Sequence, residues 1–345
     1  MNFELNGFGK WFYCDMCNYE SEGFSFMLTK CDEDKGRKAF TYSVRLVKLS
    51  ENNALEDIIP PIEGIISACI CCDTPNYVIY NYRKDGQQFF CSTLTEKKLI
   101  KRANTSFIPY GGLIIIAEHQ GESFDCEDTV YECYDGQLNL LWRYLQRGYI
   151  NDGAYKLYKD YIEIGADNKL FFNEKGVLTE AKGQKIPIRQ SDWYANDEDR
   201  SFIEQVCERC VTRQSVAKSL FNGKEYVLHC DSPTKRYIAK FDLNFKPVWK
   251  LELQSRLGTY QLLYYDGVYY SIGCRTDDSF YICAVNEDGK ILGQSENIEA
   301  SEVYGHIANG KLVVFYNRTD NLSKAEKKIL SGGVMIANGY CLLAD

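Results

Sequence analysis

Residues 134–146 read YDGQLNLLWRYLQ, and this stretch decides the fold class. The dipeptide Asp135-Gly136 separates the alternating run 129–134 from a second β-prone run that carries Trp142. Two such runs around an Asp-Gly dipeptide predict a β-hairpin whose turn glycine takes the positive φ that the turn requires. We therefore expect an antiparallel hairpin centred on this glycine.

The same pattern recurs along the chain. Residues 241–253, FDLNFKPVWKLEL, repeat it with Trp249 in the place of Trp142. Six hairpin units can be recognised, and the residues before their turns are Leu49, Leu94, Tyr134, Phe172, Phe241 and Val285. Successive separations are 45, 40, 38, 69 and 44 residues. Four of these lie near the roughly 40–50 residues of a four-stranded propeller blade.

Further β-runs precede the units, so that one period holds about four strands. We therefore predict an all-β protein in which residues 1–345 form a single β-propeller domain. Seven blades are expected, six from the internal units and one shared by the two termini, with six or eight blades as alternatives. In the shared blade, residues 8–14 and 24–29 would pair with strands of the tail, which would close the propeller and remove exposed strand edges.

The separation of 69 residues predicts an insertion between the fourth and fifth units, at residues 185–218. Residues 196–212, NDEDRSFIEQVCERCVT, have the acidic first turn and the one-sided apolar face of a helix. Phe202, Ile203 and Val206 lie on that face, where they are either partner-binding anchors or core residues. A helical excursion on one blade is a candidate contact for a partner protein.

The order β-run, Asp, turn Gly, short spacer and Trp resembles the repeat of quinoprotein-like, or PQQ-like, and WD40-like β-propellers. YDGQLNLLW has all of these features, FDLNFKPVW lacks the Gly, and NEDGKILG lacks the Trp. The resemblance implies a propeller fold. It does not imply the quinone-dependent dehydrogenase activity of some members, because those enzymes are exported proteins whose vicinal cysteine pair stacks on the cofactor. The pair Cys71-Cys72 here lies in an apolar strand.

Composition argues against several classes of partner. The net charge of −8 means that no general field attracts nucleic acid or an anionic membrane. The amino terminus lacks the pattern of a signal peptide, and no apolar run approaches the ~18 residues that span a bilayer. The 15 cysteines are an odd number and lie mostly in apolar runs, as expected in a reducing compartment. We predict a cytoplasmic protein with no nucleic-acid or membrane partner.

Two Cys-x-x-Cys pairs are the candidates for metal ligands. Cys14/Cys17 and Cys207/Cys210 could together supply the four thiolates of a structural zinc site. However, about 190 residues separate the pairs, and the second lies on the predicted helix, where positions i and i+3 share a face. We interpret both pairs as incidental cysteines and predict no cofactor. Structural zinc and a redox use of either pair are the alternatives.

The chain lacks the common sequence signatures of catalysis. It has no glycine-rich phosphate loop, no His-Glu-x-x-His and no Gly-x-Ser-x-Gly, and it has only three histidines. We therefore expect a non-enzymatic protein-interaction scaffold built on the propeller, with a protein partner. One alternative is the binding or hydrolysis of a carbohydrate or another small molecule in the central channel. The other is a zinc-stapled structural subunit of a larger assembly.

Overall fold

Antiparallel strands account for most of the regular structure of the chain. The computed structural model describes residues 3–17, 23–34, 39–102, 105–120, 128–148, 155–157, 161–165, 169–178, 215–222, 224–231, 236–244, 246–253, 258–275, 279–331 and 334–344. The strands of this described part form seven antiparallel sheets. The all-β class and the repetition of four-stranded units are therefore confirmed.

The strands of the first half are β1 (Phe3–Gly7), β2 (Phe12–Tyr13), β3 (Ser25–Asp34), β4 (Ala39–Leu49), β5 (Leu55–Asp57), β6 (Ile62–Ile65), β7 (Ser67–Asp73), β8 (Val78–Lys84), β9 (Gln87–Ser92), β10 (Thr95–Arg102), β11 (Ser106–Tyr110), β12 (Leu113–Gln120), β13 (Asp128–Tyr134), β14 (Leu140–Arg147), β15 (Tyr155–Leu157), β16 (Ile162–Ile164), β17 (Leu170–Asn173) and β18 (Gly176–Leu178). Those of the second half are β19 (Ser215–Phe221), β20 (Glu225–Asp231), β21 (Arg236–Asp242), β22 (Pro247–Leu253), β23 (Gly258–Tyr265), β24 (Val268–Arg275), β25 (Ser279–Asn286), β26 (Ile291–Gln294), β27 (Ile298–Glu299), β28 (Glu302–Ala308), β29 (Lys311–Arg318) and β30 (Asn338–Ala344). A 3-10 turn (Asp15–Cys17) and the helix α1 (Lys324–Ser331) complete the described elements.

The chain divides into two compact units, Tyr13–Ile188 and Met1–Phe12 with Arg189–Asp345. In the first, the sheets are β2-β3-β4-β5 with β6 also paired to β4, β7-β8-β9-β10, β11-β12-β13-β14 and β15-β16-β17-β18. In the second, they are β19-β20-β21-β22, β23-β24-β25-β26 with β27 paired to β25, and β28-β29-β30-β1. All six predicted hairpins are present, each as the third and fourth strands of its sheet.

The sheet β28-β29-β30-β1 joins the two ends of the chain. β1 pairs with β30 from Phe3 opposite Ala344 to Gly7 opposite Tyr340. We expected the segments 8–14 and 24–29 in this sheet, but residues 12–13 and 25–29 belong to the sheet β2-β3-β4-β5. β3 pairs with β4 from Ser25 onward through ten residues, and that long local hairpin places the segment in the sheet that follows.

The predicted insertion at residues 185–218 lies almost entirely outside the described residues, which end at Leu178 and resume at Ser215. Residues 215–218 form the start of β19. The proposed anchors Phe202, Ile203 and Val206 also lie outside the described residues. Within the described residues, no helix has the length and apolarity that a membrane span requires.

The helix α1 was not predicted, although its first turn carries a capping box. The Glu326 N–H donates to Ser323 Oγ at 3.3 Å, and the Ser323 N–H donates to the Glu326 carboxylate at 2.8 Å. Lys10 Nζ lies 2.7 Å from the same carboxylate. This ion pair, followed by the hydrogen bonds from Ser323, lowers the pKa of Glu326 to about 2. The sequence signal was Ser-x-x-Glu at residues 323–326.

Three of the six hairpins share one turn geometry. Asp135 Oδ1 accepts hydrogen bonds from the backbone N–H groups of Gln137 and Asn139, at 2.9 and 2.8 Å. Asp242 and Asn286 hold their turns in the same way, each accepting from the second and fourth residues that follow. An Asx side chain at the end of the third strand therefore specifies this turn.

The prediction that Gly136 takes the positive φ is wrong. The left-handed residue of that turn is Leu138, with φ of 60°. At Gly136 a Cβ atom would come within 2.6 Å of the Tyr77 ring, which belongs to the neighbouring sheet. The glycine is therefore required by close packing between sheets and not by backbone conformation.

Each hairpin tryptophan covers the sheet that follows it in its own unit. Trp142 on β14 stacks on Phe172 of β17, with 5.1 Å between ring centroids and 13° between planes. Trp249 on β22 lies on the turn between β25 and β26, where its indole N–H donates to Glu287 O at 2.7 Å. The tryptophan of the repeat thus fastens one sheet to the next.

Candidate functional site: a basic groove and a thiol cluster

A groove with a volume of about 890 Å³ opens in the unit Tyr13–Ile188. One wall is residues 59–63, between β5 and β6, and the other is residues 92–98, at the turn between β9 and β10. Tyr80, Tyr82 and Lys84 of β8 lie between the walls. We call these fifteen residues the groove. It differs from the predicted contact site, which was the inserted segment.

The first wall exists because two prolines interrupt a pairing strand. β5 pairs with residues 47–49 of β4, and β6 returns to pair with residues 42 and 44 of the same strand. Pro60 and Pro61 lie between them, have no N–H to donate, and fix their own φ angles. The chain therefore leaves the sheet at this point and forms a stiff wall beside it.

The floor of the groove is held rigidly by aromatic packing. Tyr80 and Tyr82 are each 7% exposed, and the Tyr82 ring stacks on Phe89 with centroids 5.0 Å apart. Burial, followed by the neighbouring Cys91 thiol, raises the pKa of Tyr80 above its usual range. The Tyr80 phenol is therefore neutral, and neither ring presents an open face on which a sugar could stack.

The groove carries a local excess of positive charge in an acidic chain. Its charged residues are three lysines, at positions 84, 97 and 98, and two glutamates, at positions 63 and 96. Lys84 Nζ donates to the Glu63 carbonyl at 3.1 Å, and Lys97 Nζ donates to the Leu138 carbonyl at 2.6 Å. Two ammonium groups are thus held in place at the walls. Leu94, which is 48% exposed, adds an apolar contact at the rim.

The predicted ligands Cys14 and Cys17 lie on the 3-10 turn, in the same unit. The Cys17 N–H donates to the Cys14 carbonyl at 3.0 Å, so the two residues are the ends of one turn. Cys17 Sγ lies 3.4 Å from Thr29 Oγ1. The turn packs against β7, which carries Cys69 and Cys71. These four cysteines are the thiol cluster.

The pairing of β7 with β8 is irregular between Ile70 and Cys72, and Cys69 and Cys71 both lie next to Asn81 of β8. Asn81 Nδ2 donates to both sulfur atoms, at 3.1 and 3.0 Å. The Cys14 hydrogen bond and then burial raise the pKa of Cys17, while burial and then Cys69 raise the pKa of Cys71. Both are therefore protonated thiols at neutral pH.

Cys207 and Cys210 lie outside the described residues, so the four-cysteine zinc site predicted from sequence stays a prediction. Within the described part of the chain, no three His, Cys, Asp or Glu side chains are grouped so that they could hold one metal ion. The structure instead brings Cys14 and Cys17 close to a pair that the sequence analysis did not select. The available signal was the alternation of Cys69 and Cys71 in one strand.

The groove lining contains no histidine. His119 Nδ1 is 3.1 Å from Thr129 Oγ1, on the paired strand β13. His306 on β28 packs edge-on against Phe315, with centroids 6.2 Å apart. Burial lowers the pKa of His306 to about 4, so that this ring is neutral at pH 7.

Comparison with known proteins finds similar solved structures at low sequence identity. No family model matches the chain, and no curated protein matches it. The AfRom2 CNH domain is 8% identical across 100% of this chain and 99% of its own, with a TM-score of 0.40. The β-propeller domain of the Trilobed protease from Pyrococcus furiosus is 12% identical, covering 90% of each chain, with a TM-score of 0.38. The WD40 domain of Toxoplasma gondii coronin is 9% identical across 99% of this chain and 86% of its own, with a TM-score of 0.34.

Proposed function

We propose that this chain is a protein-interaction module and that the groove binds the partner. In this proposal the seven sheets are the blades of one propeller, closed through the sheet that contains β1 and β30. The four-strand repeat and the docking of each hairpin tryptophan on the next sheet support this arrangement. The blade count and the closure are part of the proposal.

The observation that carries the proposal is the combination of shape and charge in the groove. Pro60 and Pro61 make one wall stiff, so that little conformational entropy is lost when a ligand binds there. Lys84, Lys97 and Lys98 provide positive charge, and Leu94 provides an exposed apolar contact. An extended segment of a partner protein with acidic and apolar side chains would satisfy both features.

The test compares two matched double variants of the full-length chain in quantitative affinity capture. Leu94→Asp/Lys98→Glu changes the groove, whereas Leu292→Asp/Lys290→Glu makes the same chemical change at an exposed hairpin of the other unit. We expect the groove variant to lose a specific partner at least about tenfold, and the control variant to retain it. Direct binding of that purified partner to the two variants then confirms the site.

Undiminished partner recovery by a folded groove variant would show that the groove is not the contact. A third variant, Phe202→Asp/Val206→Glu, tests the predicted helical excursion in the same experiment. Loss of the partner from this variant alone would move the binding site to the excursion. The carbohydrate-binding alternative, the zinc-stapled assembly and the cytoplasmic location stay predictions.

A further inference from the structure

The pair Cys14/Cys17 has the chemistry of a site for a soft metal ion. The Cys17 N–H donates to the Cys14 carbonyl at 3.0 Å and closes a 3-10 turn, and residues i and i+3 of such a turn place their side chains one above the other. Thiolate sulfur is a soft donor that selects ions such as Cu(I) over hard oxygen-seeking cations. The two residues therefore provide a ready-made two-sulfur chelate.

The surroundings of the pair supply groups that support sulfur ligands. Thr29 Oγ1 lies 3.4 Å from Cys17 Sγ, within reach of a hydrogen bond. Asn81 of β8 orients Cys69 and Cys71 of the paired strand β7 through hydrogen bonds to their sulfur atoms. Cys14 is buried, whereas Cys17 is partly exposed. An ion could thus reach the pair from solvent at Cys17 and be held away from water at Cys14.

We propose that Cys14 and Cys17 bind one soft monovalent d10 ion of the Cu(I) class through two thiolates. As each metal–sulfur bond forms, the corresponding S–H bond breaks and its proton goes to solvent, and no electrons are transferred. A two-sulfur site suits such an ion, whereas a structural zinc site needs four ligands. No such larger group is present among the described residues. The inference is independent of the groove and of its partner.

This site differs from the zinc site predicted from sequence, because it does not need Cys207 or Cys210. It also assigns no ligand role to Cys69. Both differences can be tested by serine substitution, since serine removes the soft donor with little change in volume. Cys31 on β3, a partly exposed thiol of the same unit, is the matched control.

The experiment titrates Cu(I) into the reduced full-length chain without oxygen, in competition with bicinchoninate. The loss of a group that only hydrogen-bonds to a metal ligand lowers metal affinity by about 10–100-fold. The loss of one of the two thiolate ligands should therefore lower the affinity for Cu(I) by more than about 100-fold. We expect this loss in Cys14→Ser and in Cys17→Ser. Cys31→Ser, Cys69→Ser and Cys207→Ser/Cys210→Ser should each change the affinity less than about tenfold.

Because other cysteines can bind Cu(I) weakly, alkylation followed by mass spectrometry identifies the site in the unmodified chain. We expect one equivalent of Cu(I) to protect Cys14 and Cys17, and this readout remains valid even where a variant does not fold. Protection of other cysteines in their place would overturn the proposal. A loss of more than about 100-fold in Cys69→Ser would contradict the two-thiolate site. The same loss in Cys207→Ser/Cys210→Ser would restore the four-cysteine site.

Discussion

Trp142 and Trp249 occupy the same position of the repeat, in different compact units, and their indole N–H groups differ. Trp249 Nε1 donates to the Glu287 carbonyl at 2.7 Å. Trp142 Nε1 is buried and has no hydrogen-bond partner among the described residues. Its ring instead stacks face to face on Phe172. Both tryptophans therefore cover the following sheet, Trp249 with an indole hydrogen bond and Trp142 by ring stacking.

Shape, and not polar pairing, is therefore the constant part of the motif. Both rings lie over the turn of the following sheet, against a glycine: Gly176 beneath Trp142 and Gly289 beneath Trp249. An apolar ring that covers the next sheet removes nonpolar surface from water in both units. The hydrogen bond adds to this stabilisation where the turn offers a carbonyl. The predictions below separate the two contributions.

The largest effect is expected from removing either ring. Trp142→Ala and Trp249→Ala should each lower the free energy of unfolding by about 3 kcal/mol, because each leaves a cavity between two sheets. Urea unfolding monitored by circular dichroism measures this change. A loss below about 1 kcal/mol at either position would show that the ring does not fasten its sheet to the next one.

The next effect concerns the glycine beneath Trp249. A Cβ at Gly289 would come within 2.7 Å of the indole, and the residue has φ of 79°. Gly267 has nearly the same φ, 78°, but open space around its Cβ position. We expect Gly267→Ala to cost about 1 kcal/mol for backbone strain alone, and Gly289→Ala about 2 kcal/mol or more. Equal losses in the two variants would mean that close packing against Trp249 contributes nothing.

We expect acid to lower the free energy of unfolding of the unit that contains Trp249, through protonation of His306. The pKa of this ring is lowered to about 4 by burial, so the unfolded chain, with a pKa near 6.5, binds the proton more readily. The stabilising contribution of the neutral His306 ring is therefore fully present above pH 6.5 and is lost as the pH falls towards 4. Since the ring keeps some exposure, we expect a loss of about 2 kcal/mol. His306→Gln should flatten this part of the pH profile, and an unchanged profile would exclude His306 as its cause.

The smallest effect isolates the hydrogen bond itself. Trp249→Phe removes the N–H that donates to the Glu287 carbonyl, whereas Trp142→Phe removes an N–H that has no partner in the described part of the chain. Beyond the loss of ring area that both share, Trp249→Phe should be more destabilising by about 1 kcal/mol. Equal losses of unfolding free energy in the two variants would show that the hydrogen bond between Trp249 and Glu287 makes no net contribution to stability.

The hairpins were predictable because their signals are local. An Asx residue after an alternating run, followed by a second β-prone run, specifies a turn from side chains only a few residues apart. The role of Gly136 was not predictable in this way, because it depends on Tyr77 from another sheet. The same reason explains the missed groove: Pro60-Pro61 and the lysines at positions 84, 97 and 98 meet only after β6 returns to β4.

The strand-rich class, the six hairpins and the positions of their tryptophans follow from periodicity and turn chemistry, which act over short distances along the chain. Which side chains from distant segments meet depends on the folded arrangement of the strands. It placed Cys69 and Cys71 beside Cys14 and Cys17, and it joined β1 to β30 across the length of the chain. The physical reason is that strand pairing and burial act between residues that are close in space. The distance between two residues along the sequence does not predict whether they are close in the folded protein.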